Sequence, residues 1–178
     1  MKVLLLNGSP RKGNTMTALN ALKEGLAQIP EAEVTEIIAE EKKIIPCKAC
    51  NACMSMSRCI FADDSPEINA AIEEADAVVF ATPVYWWGMT AQLKLIVDKF
   101  YAREAKMKGP KKVGSIVIGE AELSDPEYGM IADQIRCISE YMKWEVVFSK
   151  ACSADKPADL KSDEAVLEEI KGLAQLLK

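Results

Sequence analysis

The feature that most constrains this 178-residue chain is the alternation of short apolar runs with longer segments of helical period. Runs rich in Val, Ile or Phe and bounded by turns are typical of strands that are covered on both faces. The chain contains five such runs, at residues 3–6, 34–38, 77–81, 113–118 and 145–148. Because strands that alternate with helices indicate βαβ units, we predict a parallel sheet with helices on both faces.

Five segments have the spacing of amphipathic helices, and they span residues 15–28, 66–74, 90–100, 127–141 and 163–177. Ser65 followed by Pro66 predicts an N-cap and a first helical position. At about 150 residues per domain, the length predicts one domain over residues 1–178. Residues 41–64, named here the cysteine loop, are too long for a plain connection and therefore indicate a functional or disordered segment.

Composition excludes several classes of function. The chain has no histidine, which excludes Ser-His and Cys-His nucleophiles and metal sites with histidine ligands. A net charge of −5 without a block of like charge argues against nucleic acid and against a membrane surface as partners. The first residues do not resemble a signal peptide, and no apolar run is long enough to span a bilayer. We therefore expect a cytoplasmic protein. Because that compartment is reducing, its six cysteines are not expected to form a disulfide framework.

The segment from Gly8 to Thr15 follows the first strand and opens the first helix. Backbone N–H groups and the helix dipole attract an anion at such a position. Asn14 stands where a nucleotide P-loop has its lysine, so the segment favours a single phosphate. The candidate phosphate-binding residues are Ser9, Arg11, Lys12, Gly13, Asn14 and Thr15. The alternative is a plain strand-to-helix turn that Asn14 caps.

A second loop, after the third strand, concentrates large aromatic side chains. It comprises Pro83, Val84, Tyr85, Trp86, Trp87 and Gly88. Ligands bind at the carboxyl ends of parallel strands in open α/β sheets, and aromatic faces there predict a site for a planar ring. Trp87 has the alternative of lying in the core or at an oligomer surface. Gly119 ends the fourth strand at the same edge and is a further candidate for contact with the ring.

These two loops resemble those of the NAD(P)H-dependent FMN reductases of the flavodoxin-like superfamily. The likeness rests on Gly8-Ser9-Pro10-Arg11-x-Gly13-Asn14-Thr15, on Ala81 to Trp86, and on Gly88, Gln92-Leu93-Lys94 and Asp98-Lys99. It implies a flavodoxin-like three-layer α/β/α sandwich with a five-stranded parallel sheet of order 2-1-3-4-5. It also implies bound FMN, with NAD(P)H as co-substrate. The chain departs from the family's Gly-rich pattern at Glu120, whose charge would disfavour an anionic reduced ring.

The cysteine loop has the spacing C-x2-C-x2-C-x5-C, formed by Cys47, Cys50, Cys53 and Cys59. Three thiols at this spacing suit an iron-sulfur cluster better than structural zinc. The spacing resembles that of the iron-sulfur flavoproteins, which implies a [4Fe-4S] cluster. The alternative is a loop of free thiols that covers the flavin. Cys137 and Cys152 are expected to be packing residues.

We therefore expect an FMN-dependent oxidoreductase that passes hydride from NAD(P)H to a small acceptor such as a flavin or quinone, with no catalytic side chain. One alternative is an iron-sulfur flavoprotein that relays electrons between its cluster and FMN, with a ferredoxin-like partner. Another is a non-catalytic flavin-binding or nucleotide-binding module. The resemblance also implies a homodimer or a dimer of dimers, with Trp87, Met89 and Phe100 as candidates for an apolar interface.

Overall fold

The predicted sheet is present in a computed structural model that describes residues 1–178. All five strands are parallel and lie in the order 2-1-3-4-5. The strands are β1 (Lys2–Asn7), β2 (Glu33–Ile38), β3 (Ala77–Pro83), β4 (Lys112–Gly119) and β5 (Glu145–Ser153). The helices are α1 (Asn14–Leu26), α2 (Cys53–Met56), α3 (Ser65–Glu74), α4 (Ala91–Asp98), α5 (Glu104–Met107), α6 (Pro126–Met142) and α7 (Glu164–Gly172). The predicted α/β/α class and strand order are confirmed.

Strand β1 shows why the sheet carries helices on both faces. Leu4 and Leu6 belong to one apolar core, which the helices from α3 to α6 cover. Val3 and Leu5 belong to the other, which α1 and α7 cover. Successive side chains of a strand point to opposite faces, so an uninterrupted apolar run is buried on both sides. Each fully buried Leu stabilises the fold by about 1.5–3 kcal/mol.

Helix α7 ends at Gly172 instead of at residue 177, and the short helices α2 and α5 have no counterpart among the predicted elements. Among the strands, the largest difference is the length of β5, which continues past residue 148 to Ser153. The sequence predicts a strand that ends at residue 148 because the next two residues, Ser149 and Lys150, are polar. Since β5 is an edge strand, polar side chains are tolerated there: the Ser149 hydroxyl lies 2.7 Å from that of Ser115, and Lys150 pairs with Glu169 at 2.6 Å.

Helices α4 and α3 begin in different ways. Thr90 is the N-cap of α4, and its hydroxyl accepts from the N–H of Leu93 at 3.3 Å. Ser65 is the first residue of α3 and not its N-cap. The carboxylate of Asp63 accepts from the N–H of Ser65 at 3.0 Å, so the first N–H group of the helix has a partner although no side chain caps the helix.

Several side chains lie elsewhere than expected. Met89 and Phe100 are buried in a core, so they offer no apolar interface, whereas Trp87 is half exposed. Cys137 is exposed on α6 and is not a packing residue. Cys152 is buried as expected, and burial raises the pKa of its thiol to about 11. The homodimer stays a prediction.

None of the helices combines the length and apolar character that crossing a membrane would require.

Candidate functional site

The loops that follow β1, β3, β4 and β5 meet at the carboxyl edge of the sheet and line one cavity of about 630 Å³, named here the main cavity. Its volume lies in the range typical of small-molecule sites. Of the predicted cofactor-binding residues, it is lined by Ser9, Arg11, Gly13, Asn14, Thr15, Pro83, Val84, Tyr85, Trp86, Trp87 and Gly119. Lys12 and Gly88 do not line it. Lys12 is exposed on the β1–α1 loop.

The start of α1 has the properties of an anion site. No side chain caps it and its first turn has no acidic residue. The backbone N–H groups of Gly13, Asn14 and Thr15 have no backbone acceptor. The guanidinium of Arg11 forms no ion pair and is exposed at the cavity. Unpaired donors, a helix dipole and a cation together favour a phosphate group.

The side chains of Asn14 and Ser9, both predicted to bind phosphate, form hydrogen bonds with the protein backbone instead. The Asn14 amide donates to the carbonyl of Lys156 at 2.7 Å, and its side-chain oxygen accepts from the N–H of Leu160 at 3.1 Å. The Ser9 hydroxyl donates to the carbonyl of Arg11 at 2.9 Å and accepts from the Arg11 N–H at 3.2 Å. These side chains shape the loops and leave the free N–H groups, Arg11 and Thr15 for a ligand.

The aromatic loop contains a strained two-residue turn. Tyr85 and Gly88 exchange two backbone hydrogen bonds, of 2.9 and 3.1 Å. Between them Trp86 and Trp87 both have positive φ, 48° and 58°, as a type I′ turn requires. This conformation costs a non-glycine residue roughly 1–2 kcal/mol. Trp86 is nevertheless 92% exposed: its ring lies beside that of Trp87, with 6.0 Å between the centroids, and is not buried in a core. Backbone strain of this kind concentrates at ligand sites.

Thr90 connects the aromatic loop, residues 83–88, to the candidate phosphate-binding loop, residues 8–15. Its hydroxyl donates to the carbonyl of Gly8 at 2.7 Å, and its N–H donates to the hydroxyl of Thr82 at 3.1 Å. A Cβ on Gly8 would lie only 2.9 Å from the Cβ of Leu93, so the close approach of β1 to α4 requires glycine at position 8. Buried contacts within the protein therefore fix the relative position of the two loops.

The remaining wall of the main cavity is acidic. It is formed by Glu120, Asp125, Glu127 and Asp155. Among these, only Glu120 is indicated near the ring by the sequence. Asp125 is the N-cap of α6 and accepts from the N–H of Glu127 at 3.0 Å. The pattern Asp125-Pro126 would have placed this helix start near the site. No sequence signal identified Asp155, because its loop follows a strand whose length was underestimated.

The four cysteines of the predicted cluster line a second cavity, of about 440 Å³, named here the cysteine cavity. Cys47 and Cys50 are exposed, while Cys53 and Cys59 are half-buried. No three acidic or thiol side chains of the chain are grouped as a metal ion would require. The structure therefore gathers the four predicted ligands in one place but does not arrange them as a cluster site.

A buried ion pair fixes the cysteine loop to the core. The Nζ of Lys99 lies 2.9 Å from a carboxylate oxygen of Asp63, and both side chains are almost fully buried. The same oxygen accepts from the N–H of Ile45 at 2.9 Å, and Nζ also donates to the Sγ of Cys59 at 3.3 Å. Burial raises the pKa of Asp63, but hydrogen bonds from Ser65, Lys99 and Ile45 outweigh it and leave that pKa lowered.

The doubly wound sheet and a cavity with a phosphate end and an aromatic wall define a flavodoxin-like ligand-binding protein. Residues 1–128 match the family model of the NADPH-dependent FMN reductases. The chain belongs to this family.

Two curated relatives are named iron-sulfur flavoprotein. One, from Archaeoglobus fulgidus, is 35% identical over 130 residues, which cover 71% of this chain and 58% of the relative. Another, from Methanocaldococcus jannaschii, is 36% identical over 119 residues, which cover 66% of this chain and 61% of the relative. The chain thus matches little more than half the length of either relative.

Solved structures confirm the fold. The NAD(P)H:quinone oxidoreductase from Methanothermobacter marburgensis superimposes with a TM-score of 0.73 at 18% identity, over 98% of this chain and 96% of that one. An FMN-dependent NADH-azoreductase from Bacillus anthracis, solved in complex with FMN, gives a TM-score of 0.69 at 10% identity, over 98% of each chain.

Because the aromatic turn is strained, we predict that replacing its two tryptophans by residues that favour positive φ stabilises the ligand-free protein. Replacing Trp86 by Asn and Trp87 by Gly creates the pair that type I′ turns prefer. We expect the free energy of unfolding to rise by about 1–2 kcal/mol and the melting temperature by about 2–4 °C per kcal/mol. The control changes both residues to Ala, which removes the rings but keeps the strain. Equal stability of the two double variants, measured by thermal unfolding, would contradict the prediction.

The buried ion pair predicts a pH-dependent loss of stability when its cation is removed. Lys99→Met leaves Asp63 buried without a cation, which costs about 3–5 kcal/mol at neutral pH. Because the folded-state pKa of Asp63 is lowered, the pair stabilises the native protein above the unfolded pKa of about 3.9. That contribution is lost as the pH falls through the folded-state pKa, so urea unfolding should show the variant approaching wild type in acid.

The control for this prediction is Lys94→Met, because Lys94 pairs with Asp98 at the surface, where both side chains are about 40% exposed. An exposed pair contributes about 0.3–0.5 kcal/mol. A loss for Lys99→Met no larger than that of the control would show that the buried pair does not fix the cysteine loop.

Proposed function

We propose that this chain binds FMN in the main cavity and catalyses the NAD(P)H-dependent reduction of a small acceptor such as a flavin or a quinone. The observation that carries the proposal is the juxtaposition of an anion-binding helix start and an aromatic turn across one cavity. Membership of the FMN reductase family supports the same cofactor and co-substrate.

The residues present fit both ends of FMN. The free N–H groups at the start of α1, the Thr15 hydroxyl and the Arg11 guanidinium would hold the phosphate. Trp86 and Trp87 would lie against the planar ring, whose contacts would offset the strain of their turn. Gly119 lines the main cavity at the end of β4, where its backbone would face the ring.

Bound FMN supplies hydride transfer between a reduced nicotinamide and the acceptor. The protein's part is to bind and orient. Trp86 is almost fully exposed and Trp87 half exposed, so the aromatic side of the main cavity is open to solvent, and donor and acceptor would occupy it in turn. We assign no catalytic side chain, in keeping with a chain that has no histidine.

The proposal is tested by adding FMN to the purified protein and mixing the complex anaerobically with NADPH or NADH. We expect tight binding of FMN, loss of the oxidised-flavin absorption band with at least one donor, and its return when a quinone is added. Binding without bleaching by either donor would favour a non-catalytic flavin-binding module. No binding would refute the proposal.

A pair of variants tests the phosphate end. Arg11→Met should weaken FMN binding about tenfold or more, the effect of losing one hydrogen bond to a charged group, and should leave riboflavin binding unchanged because riboflavin has no phosphate. Lys12→Met is the matched control, since Lys12 lies outside the main cavity and should change neither affinity. Equal effects of the two variants would place the phosphate elsewhere.

A second candidate function is that the cysteine loop binds an iron-sulfur cluster that exchanges electrons with FMN. It is favoured by the four cysteines that line one cavity and by the names of the curated relatives. The thiols would have to come closer together than they are in this structure. Reduction of such a cluster by a ferredoxin-like protein stays a prediction.

Anaerobic purification from iron-rich cells tests this candidate. We expect about four iron and four sulfide per chain, lost in Cys53→Ser and kept in Cys137→Ser, because Cys137 is exposed on α6 outside the cysteine cavity. Protein without iron and sulfide under these conditions would contradict the cluster and leave the free-thiol alternative.

A further inference from the structure

Glu127, the second residue of α6, lies directly against the end of β4. A Cβ on Gly119 would fall 2.1 Å from the Oε1 atom of Glu127, so glycine at position 119 is what admits this carboxyl group. Glu127 is only 9% exposed, yet it is among the residues that line the main cavity. The sequence places Gly119 and Glu127 eight residues apart; only the fold brings them into contact.

The Oε1 atom of Glu127 is buried and has no hydrogen-bond partner in the protein. Buried polar atoms are nearly always paired, and a buried carboxylate without a cation is costly. Because Glu127 lines the main cavity, its carboxyl group, which has one oxygen without a partner, is available to a ligand bound there. Glu127 therefore differs from Glu120, which is exposed, and from Asp125, which caps α6.

The groups around Glu127 disfavour its charge. Burial raises its pKa, and the carboxylates of Asp125 and Glu120 raise it further, although a hydrogen bond from the N–H of Ala121 acts in the opposite direction. The positive end of the α6 dipole likewise favours the ionised form. Burial and the neighbouring carboxylates outweigh these effects, and the pKa of Glu127 is raised.

The other titratable groups nearby offer no compensating cation. Asp155 lines the same cavity and adds negative charge. The Tyr128 hydroxyl donates to the carbonyl of Ala121 at 2.7 Å, and the Cys152 thiol is buried with a raised pKa. Arg11, on the β1–α1 loop, is the single cation among the lining residues.

We infer that Glu127 carries a proton when a ligand is bound and that its O–H donates a hydrogen bond to an uncharged acceptor atom, such as a ring carbonyl oxygen, at the Gly119 side of the main cavity. The inference rests on the proposed function, in which that ring is the flavin of FMN. An ionised carboxylate would repel the same carbonyl oxygen. At a pH where Glu127 is ionised in the free protein, binding takes up one proton from solvent to form this O–H bond, and no other bond forms or breaks.

The test is the pH dependence of binding, with riboflavin as the main probe because it lacks the titrating phosphate of FMN. For the wild type we expect a constant dissociation constant at acid pH and a rise of about tenfold per pH unit above the pKa of Glu127 in the free protein. Glu127→Gln keeps a donor in the same shape and should bind with an affinity that does not depend on pH. Glu120→Gln, which changes an exposed carboxylate of the same wall, should keep the tenfold slope, but the rise should begin at a lower pH because the Glu120 carboxylate raises the pKa of Glu127.

A second measurement uses only the wild-type protein. Infrared difference spectra of the FMN complex minus the free protein should contain the C=O band of a protonated carboxyl group, shifted in D₂O. The absence of that band would overturn the inference, as would a wild-type pH dependence in Glu127→Gln or a pH-independent wild type. Failure of both riboflavin and FMN to bind to the wild type would instead overturn the proposed function and the inference with it.

Discussion

Parallel pairing of β1, β3 and β4 is the constraint on which the rest of this structure depends. Because all strands run in one direction, every loop that follows a strand emerges at the same edge. Segments that are far apart in the chain, from the Gly8 loop to Asp155 after β5, therefore line one cavity. Their spacing is then set by buried contacts, chiefly the Thr90 hydroxyl that bonds the carbonyl of Gly8.

The main cavity is electrostatically divided. One part offers the N–H groups at the start of α1 together with Arg11, whereas the loops after β4 and β5 contribute four carboxyl groups. Such a division suits a ligand with an anionic end and an uncharged end. The strained Trp86–Trp87 turn lies at the same cavity. The strain lowers the free energy of unfolding at the place where a planar ring would be held.

The cysteine loop is organised separately from the main cavity. Its last residues are anchored by the buried pair of Asp63 and Lys99, which also reaches Cys59, while Cys47 and Cys50 remain exposed. Asp63 and Asp64 also accept from the N–H groups of Ile45 and Lys43, so both ends of the loop are held together while its middle is accessible to solvent. The sheet and the main cavity have no contacts that depend on these thiols, since the cysteines line a different cavity.

The sequence by itself determined the fold class, the strand order through its family resemblance, and the two loops of the site, because apolar periodicity and turn chemistry are local properties. It did not reveal the length of β5, since tolerance of Ser149 and Lys150 depends on an edge position. It assigned Asn14 to the ligand, whereas the fold uses that amide to hold residues 156–160. Only the tertiary structure decided that Met89 and Phe100 are core, that four cysteines share a cavity without forming a metal site, and that Glu127 lies unpaired against Gly119. Each of these depends on contacts between distant segments, and local sequence patterns do not encode such contacts.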